Sequence, residues 1–391
     1  MGRLESSTES RPARLMTMRR GRGAIVKESK MTEILITGGG LAGLNIAREF
    51  ARSGTPVVIT IRQINSRIEK ILGEYRDLIT VESINLARGG EVFDLFSRYG
   101  FRGVIHTVQA HQQAQTRAAN RANYDMLFNC LEAADTTGTS RFIHVSSIAV
   151  YSGMAPPLEE EARFPSRPVL DEDPDTFCFA DLEDNRILAV PAFETTVKRA
   201  LELIVLDYAS PMQMGLSAAL QPNQRFRDSK MDVAVVRFST QFGPGYTNMG
   251  SPISRAVHTL AGRDGLMEGT GYGGMPLVPL WNRIAIAPLL YVRDTASALV
   301  RMMQAEQLAH QVYNLSSGYT TSPREQLLAL YRIAPNAADL LHVDPEALRA
   351  EPYRTGSFNA NLLQQDIGWT SGFSFEQAVE DYIRWLQDHP Y

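Results

Sequence analysis

The sequence feature that most constrains this chain is a run of three glycines, entered directly from a short apolar segment. Residues Ile34–Gly43 have the sequence ILITGGGLAG, and a helical pattern of apolar residues follows from Leu44 to Ser53. This order predicts a buried strand, a tight turn and the start of a helix. Gly38, Gly40 and Gly43 have the spacing G-x-G-x-x-G, which is typical of a dinucleotide-binding turn when it lies between a strand and a helix.

Each glycine has a physical task in such a turn. The first permits the turn, the second lets the backbone approach a pyrophosphate, and the third lets the helix pack closely on the strand. The N–H groups near the helix start, including those of Leu41 and Ala42, would face the phosphates with a partial positive charge. A glycine-rich turn without any ligand has the same letters, so that alternative stays open.

Composition excludes several classes of protein. The chain has 391 residues, of which 44% are hydrophobic and 21% charged, and its net charge is -4. These values are ordinary for a globular protein of one large or two modest domains, and they predict no nucleic-acid or membrane partner. No apolar run approaches the roughly 20 residues that span a bilayer. Two cysteines, Cys130 and Cys178, exclude a disulfide scaffold and favour a cytoplasmic location.

Strand and helix patterns alternate along most of the chain. Apolar runs predict strands at 56–62, 78–86, 103–109, 141–147, 231–238 and 311–315. Helical patterns are found at 90–99, 118–134 and 192–208, after Asp294 and at 375–386. The fold class predicted from this alternation is α/β, a doubly wound parallel sheet of the Rossmann type with a smaller C-terminal substrate-binding lobe.

The domain boundaries follow from the same pattern. We expect a disordered tail at 1–30 and a nucleotide-binding domain at 31–245 that is completed by 284–318. Residues 246–283 and 319–391 would form the substrate-binding lobe. The acidic, proline-bearing stretch 156–191 predicts a surface loop or lid, and 210–229 a polar insertion.

The second predicted strand ends on Ile61 and Arg62. Many NAD sites place a carboxylate there to hold the ribose 2′-hydroxyl. An apolar residue followed by Arg cannot accept those hydrogen bonds, whereas the guanidinium could pair with a 2′-phosphate. The sequence therefore favours NADP, with NAD as the alternative. A solvated arginine at a strand end remains the simpler interpretation of Arg62.

Seven segments, in this order along the chain, resemble the extended short-chain dehydrogenase/reductase family of NAD(P)-dependent sugar epimerases and dehydratases. They are Thr37–Gly43, Val104–His106, Val145–Tyr151, Arg237–Gly245, Tyr291–Asp294, Val312–Leu315 and Gly368–Trp369. Val145–Tyr151 resembles the family's S-S-x-x-V-Y segment. The glycine turn is one residue shorter than the common T-G-x-x-G-x-x-G form. The resemblance extends from Met31 to about His389.

The resemblance implies a catalytic set of Ser or Thr, Tyr and Lys, with the last two in a Y-x-x-x-K helix. It places the hydroxyl on Ser147 and the lysine on Lys198, but Glu194 stands where the tyrosine belongs. Lys198 would bond the nicotinamide ribose. We assign these further residues to the cofactor site: Arg62, Asn85, Leu86, Thr107, Gln109 and Phe238. The resemblance also implies a homodimer built from the helices near Asn123 and Lys198.

Replacing the phenol with a carboxylate changes the chemistry. An unperturbed tyrosine has a pKa of about 10 and a glutamate a pKa of about 4.3. At neutral pH Glu194 is therefore a weaker base than a tyrosinate, and it has no proton to donate as an acid. It suits a relatively acidic proton, such as one alpha to a carbonyl.

Two alternatives to this role of the carboxylate stay open. Glu194, Lys198 and Glu202 could form ion pairs along a solvated helix face. A different tyrosine, Tyr151 or Tyr272, could replace the missing phenol. His106 and His144 lie within predicted strands and are expected to be core residues, not catalysts.

We therefore predict an NAD(P)-dependent epimerase/dehydratase-type enzyme acting on a nucleotide sugar or similar hydroxylated metabolite, with Ser147, Glu194 and Lys198 at the reacting centre. No metal is expected. One alternative is a non-catalytic NADP-binding sensor or scaffold that lost the acid/base group. The other is a reductase or isomerase of specialised metabolites.

Overall fold

The computed structural model describes residues 33–110, 116–151, 154, 158–164, 180–181, 186–187, 192–209, 231–247, 249–263, 276–284, 288–319, 321–350 and 358–389. Its strands are β1 Ile34–Thr37, β2 Val57–Thr60, β3 Ile79–Glu82, β4 Gly103–His106, β5 Arg141–Ser147, β6 Ala180–Asp181, β7 Arg186–Ile187, β8 Asp232–Phe238, β9 Thr240–Phe242, β10 Leu289–Tyr291 and β11 Val312–Leu315.

The first five α-helices are α1 Leu41–Arg52, α2 Ser66–Leu72, α3 Gly89–Tyr99, α4 Arg117–Thr137 and α5 Ala192–Ala209. Later helices cover Pro252–Leu260, Leu277–Ile284, Val292–Gln304, Pro323–Ile333, Ala337–Leu341, Leu362–Ile367 and Phe375–Asp388. None of these described helices is long and apolar enough to cross a membrane.

Seven strands form one sheet in the order β3-β2-β1-β4-β5-β8-β11, and every pairing in it is parallel. The predicted doubly wound α/β fold is confirmed. The strand order reverses between β1 and β4, and ligands of such sheets bind outside the carboxyl ends of the strands at that point. The glycine turn follows β1 directly, so the fold brings it to this crevice.

Both faces of the sheet are buried, which explains why its strands are continuous apolar runs. On one face Ile36, Ile59 and Ile105 pack with α1 and the helix Val292–Gln304. On the other, alternate strand residues pack with α3, α4 and α5. All described residues belong to one compact unit. The finer division into a nucleotide-binding domain and a lobe stays a prediction.

Several element ends differ from the prediction. Helix α1 begins at Leu41 and not at Leu44, because the extended Gly40 serves as its N-cap. Strand β3 ends at Glu82 and does not run to Leu86. Beyond β3, the Asn85 backbone N–H bonds the Glu91 carboxylate and not a neighbouring strand.

The prediction of a surface loop over 156–191 is wrong for its described beginning. Leu158 is fully buried and forms a β-bridge with Phe358. Glu160 is also buried, and its carboxylate accepts the backbone N–H of Asn314 at 3.1 Å. Most of the remaining stretch, and all of 210–229, lie outside the described residues.

Candidate functional site

The glycine turn needs glycine at two positions for steric reasons. Gly38 has a φ of 93°, and its N–H donates to the Thr60 carbonyl at 3.0 Å. A Cβ on Gly38 would lie 3.0 Å from the Val108 backbone, and one on Gly43 only 2.0 Å from the Gly38 carbonyl oxygen. The turn and the start of α1 are thus in direct backbone contact.

Gly40, by contrast, faces open space, and a Cβ there would meet nothing within 4 Å. Helix α1 has no side-chain cap and no acidic residue in its first turn. Its first backbone hydrogen bond runs from the Leu44 N–H to the Gly40 carbonyl, so the N–H groups of Leu41 and Ala42 precede the helical ladder. This exposed, partly positive helix end fits a pyrophosphate.

The residues after β2 match the sequence expectation of an apolar side chain followed by an arginine. Ile61 is buried, and its side chain lies 3.0 Å from where a Cβ of Gly39 would stand. An isoleucine therefore occupies the place beside the turn, with no carboxylate for a ribose hydroxyl. Arg62 is exposed, and its assignment to a 2′-phosphate stays a prediction.

The end of β4 is tied to the end of β1 across the crevice. The Thr107 hydroxyl donates to the Thr37 carbonyl, and the Thr107 N–H donates to the Thr37 hydroxyl at 3.1 Å. Of the two predicted residues after β3, Asn85 is exposed and Leu86 is buried. Their contact with a cofactor is a prediction.

Lys198 and Gln109, both assigned to the site from sequence, meet in the structure. Lys198 on α5 is 9% exposed, and its Nζ donates to Oε1 of Gln109, just beyond β4, at 3.0 Å. Ser147 ends β5 and is half-buried; its Oγ accepts the Ala149 N–H at 3.2 Å. Phe238, in register with Ser147 on β8, is buried.

Helix α5 is fixed against the residues that follow Ser147. The Thr195 hydroxyl donates to the Ala149 carbonyl at 3.2 Å, and Arg199 Nε to the Val150 carbonyl at 2.8 Å. The backbone of Glu194 lies in the first turn of this helix, four residues before Lys198, and its side chain lies outside the described residues.

The alternative of a solvated ion-pair face on α5 is wrong for Lys198 and Glu202. Glu202 is 2% exposed, and its Oε2 lies 2.7 Å from Nη2 of Arg237, which is also buried. Arg237 was not among the residues assigned to the site from sequence. Its signal was an arginine inside an otherwise apolar strand, where a charge needs a buried partner.

Tyr151 does not suit the role of a replacement phenol. It is fully buried; its hydroxyl accepts from Arg237 Nη1 and donates to Asn314 Oδ1, each at 2.8 Å. Burial raises the pKa of Tyr151 to about 12. A phenol held in this way exchanges its proton poorly near neutral pH. Tyr272, the other candidate, lies outside the described residues.

His106 and His144 are core residues, as predicted. Both are buried, with their Nδ1 atoms 3.3 Å apart on adjacent strands. Burial lowers the pKa of His106 to about 4 and that of His144 well below its ordinary value. In the described part of the chain no cluster of three or more His, Cys, Asp or Glu side chains could hold a metal ion.

The model of the NAD dependent epimerase/dehydratase family matches residues 34–169. Residues 34–169 are therefore similar to that family. The family resemblance inferred from the sequence is confirmed, because the epimerase/dehydratase segment holds the glycine turn, β1–β5 and Ser147. Lys198 and Glu194 lie beyond it. No curated protein matches the sequence.

Solved epimerases and dehydratases share the fold over almost the whole chain. UDP-glucose 4-epimerase from Bifidobacterium longum, in complex with NAD+ and UDP, is 15% identical with a TM-score of 0.60, covering 92% of this chain and 99% of that one. dTDP-glucose 4,6-dehydratase from Bacillus anthracis, in complex with NAD, is 16% identical with a TM-score of 0.61. The match covers 92% of this chain and 97% of that one.

The Bordetella bronchiseptica enzyme WbmH, in complex with NAD+, is 18% identical with a TM-score of 0.60 and covers 92% of this chain and 100% of that one. At these identities the likeness shows the common fold of the epimerase/dehydratase structures.

Proposed function

We propose that the chain is an NAD(P)-dependent enzyme of the epimerase/dehydratase type that acts on a nucleotide sugar or a similar hydroxylated metabolite. The observation that carries the proposal is the glycine turn. Its backbone is closed by contacts at Gly38 and Gly43, and it is open at Gly40 in front of an uncapped helix. That arrangement fits a pyrophosphate at the switch point of the sheet.

The residues along the crevice would each bind a different part of the dinucleotide. The N–H groups of Leu41 and Ala42 would hold the phosphates, and the Arg62 guanidinium a 2′-phosphate on the adenosine ribose. Thr107 and Gln109 lie at the end of β4, beyond the turn, and Lys198 beside Gln109 would bond the nicotinamide ribose. The polar contacts thus run from the turn towards α5.

Ser147 and Glu194 would act on the substrate. The Ser147 hydroxyl would polarise the reacting oxygen, and the Glu194 carboxylate would accept or return a proton next to a carbonyl. When bound, the nicotinamide supplies hydride transfer. The nucleotide-sugar assignment is supported by the solved neighbours, which include a UDP-glucose 4-epimerase and a dTDP-glucose 4,6-dehydratase.

The test is a calorimetric titration of the purified chain with NADP and NAD. The proposal predicts saturable binding of at least one dinucleotide, and tighter binding of NADP. Absence of binding by both would overturn the proposal. Binding without turnover of any tested sugar nucleotide would instead favour the sensor or scaffold alternative.

A homodimer through α4 and α5 is part of the proposal. Both helices expose a large apolar side chain: Phe128 on α4 is 43% exposed and Leu203 on α5 is 69% exposed. Sedimentation should show a dimer for the wild type and a monomer for Leu203→Asp. A monomeric wild type would contradict the assignment.

A further inference from the structure

The Glu202–Arg237 pair joins α5 to β8 inside the protein, with the two residues 2% and 3% exposed. The ion pair is 2.7 Å long, and Arg237 Nε adds contacts of 3.1 and 3.2 Å to the same carboxylate. Such buried pairs contribute little net stability, because desolvation offsets most of the attraction. The importance of this pair therefore lies in the chain segments that Glu202 and Arg237 hold in place.

The Glu202 carboxylate reaches the strand that carries the predicted catalytic hydroxyl. It accepts a hydrogen bond from the hydroxyl of Ser146, which directly precedes Ser147 on β5. Glu202 also lies one helical turn after Lys198 on α5. One carboxylate therefore links the element that bears Ser147 to the element that bears Lys198.

Arg237 reaches the chain segment that connects Ser147 to α5. Its Nη1 donates to the Tyr151 hydroxyl at 2.8 Å and to the Glu160 carbonyl at 3.1 Å. Its guanidinium lies 5.0 Å from the centre of the Phe164 ring, and Arg199 of α5 lies 4.6 Å from the same ring. The start of this connecting segment is thus held between two arginines.

The contacts continue to the C-terminal part of the chain. Tyr151 donates to the side chain of Asn314 on β11, and the Asn314 amide donates to the carbonyls of Leu158 and Asn359 at 3.1 and 2.8 Å. Tyr151 and Asn314 are buried and their hydrogen bonds are directional, so a shift of one element would break bonds in the others.

We propose that Glu202, Arg237 and Ser146 are positioning residues, which fix the distance between Ser147 at the end of β5 and Lys198 on α5. This inference rests on the proposed function, because it assigns the network to the nicotinamide half of the cofactor site. The adenosine half, at the glycine turn, is built from contacts of β1, β2 and β4 that do not involve these residues.

The experiment compares two ligands on isosteric variants. The first ligand is the dinucleotide that binds the wild type more tightly. The second is its adenosine half: adenosine 2′,5′-bisphosphate for NADP, or AMP for NAD. Glu202→Gln should raise the Kd of the dinucleotide about tenfold and change that of the adenosine half by less than about twofold. Ser146→Ala, a milder change, should act in the same direction and covers the case in which Glu202→Gln fails to fold.

Asp232→Asn is the matched control. Asp232 forms a 2.7 Å ion pair with Arg141 between β8, which carries Arg237, and β5, which carries Ser146, at the amino ends of these strands and away from the site. This variant should leave both affinities unchanged. Equal weakening of both ligands by Glu202→Gln, or of neither, would overturn the positioning role. A wild type that binds neither dinucleotide would overturn the proposed function instead.

Discussion

The glycine turn and the α5 end of the candidate site are held in shape by different interactions. At the turn the constraints are backbone contacts: the left-handed Gly38 and the 2.0 Å approach that only a glycine at position 43 allows. At α5 they are buried charged and polar side chains, with Glu202 and Arg237 at the centre. The turn has no room for a Cβ at position 43, whereas the α5 network loses hydrogen bonds when one of its side chains is removed.

This difference has a consequence for function. A backbone turn offers the same N–H groups whatever the substrate, which suits the invariant pyrophosphate of a cofactor. A side-chain network can hold reacting groups at a set separation while loops change around it. Substitutions in the two regions should therefore have separable effects on binding, stability and turnover.

The largest effect on turnover is expected at the α5 end. Glu194→Gln removes the proposed base, and loss of a positioned acid/base group lowers kcat by roughly 10²- to 10⁴-fold. Dinucleotide affinity should stay within about twofold, because the turn is untouched. Asp207→Asn, an exposed carboxylate on the same helix, is the control. Unchanged turnover in Glu194→Gln would remove Glu194 from the mechanism.

The largest effect on folding is expected at the turn. Gly43→Ala should lower the free energy of unfolding by about 3 kcal/mol, since the new Cβ meets the Gly38 carbonyl. Urea unfolding measures this directly. Gly90→Ala in the first turn of α3 meets nothing within 4 Å and should be neutral or slightly stabilising. If both variants unfold alike, the proposed backbone contact is absent.

Acid should destabilise the protein through a buried histidine on the α5 side of the sheet, and not through the glycine turn. The ordinary pKa of a histidine is 6.5, and burial lowers the pKa of His106 to about 4 in the folded chain. The unfolded chain therefore binds more protons below pH 6.5, and stability falls as pH drops through this window. His106→Phe should reduce the slope of the unfolding free energy against pH, between pH 6.5 and 5, by about 1 kcal/mol per pH unit. An identical slope in both proteins would show that folding does not lower the pKa of this ring.

The smallest effect concerns cofactor choice. Arg62→Ala should weaken NADP binding about tenfold and leave NAD binding unchanged, because only NADP carries the 2′-phosphate. Calorimetry with both dinucleotides measures the ratio. Arg52→Ala, an exposed arginine at the end of α1, should not change it. A variant that weakens NAD and NADP equally would contradict the phosphate contact.

The turn could be predicted from sequence because its determinants lie within ten consecutive residues. Three glycine positions and an apolar strand specify the backbone locally, and the structure adds only that α1 starts at Leu41. The parallel sheet followed from the alternation of strands and helices. Element ends were less accurate, since capping and side-chain bonds such as Asn85 to Glu91 decide them.

The α5 network could not be predicted because its partners are distant in sequence. Glu202 and Arg237 are 35 positions apart, and Tyr151 and Asn314 are 163 apart. The spacing of Glu194, Lys198 and Glu202 is equally typical of a solvated helix face. Only the fold shows that two of these three charges are buried. Likewise, Glu160 lies in an acidic stretch that suggested a surface, but the backbone of Asn314 binds its carboxylate.

The most direct test of this account is a crystal structure of the chain with its preferred dinucleotide. The account predicts pyrophosphate oxygens within about 3.2 Å of the Leu41 and Ala42 N–H groups, and a nicotinamide ribose hydroxyl equally close to Lys198 Nζ. A dinucleotide bound elsewhere, or one whose nicotinamide half points away from Ser147 and Lys198, would contradict it.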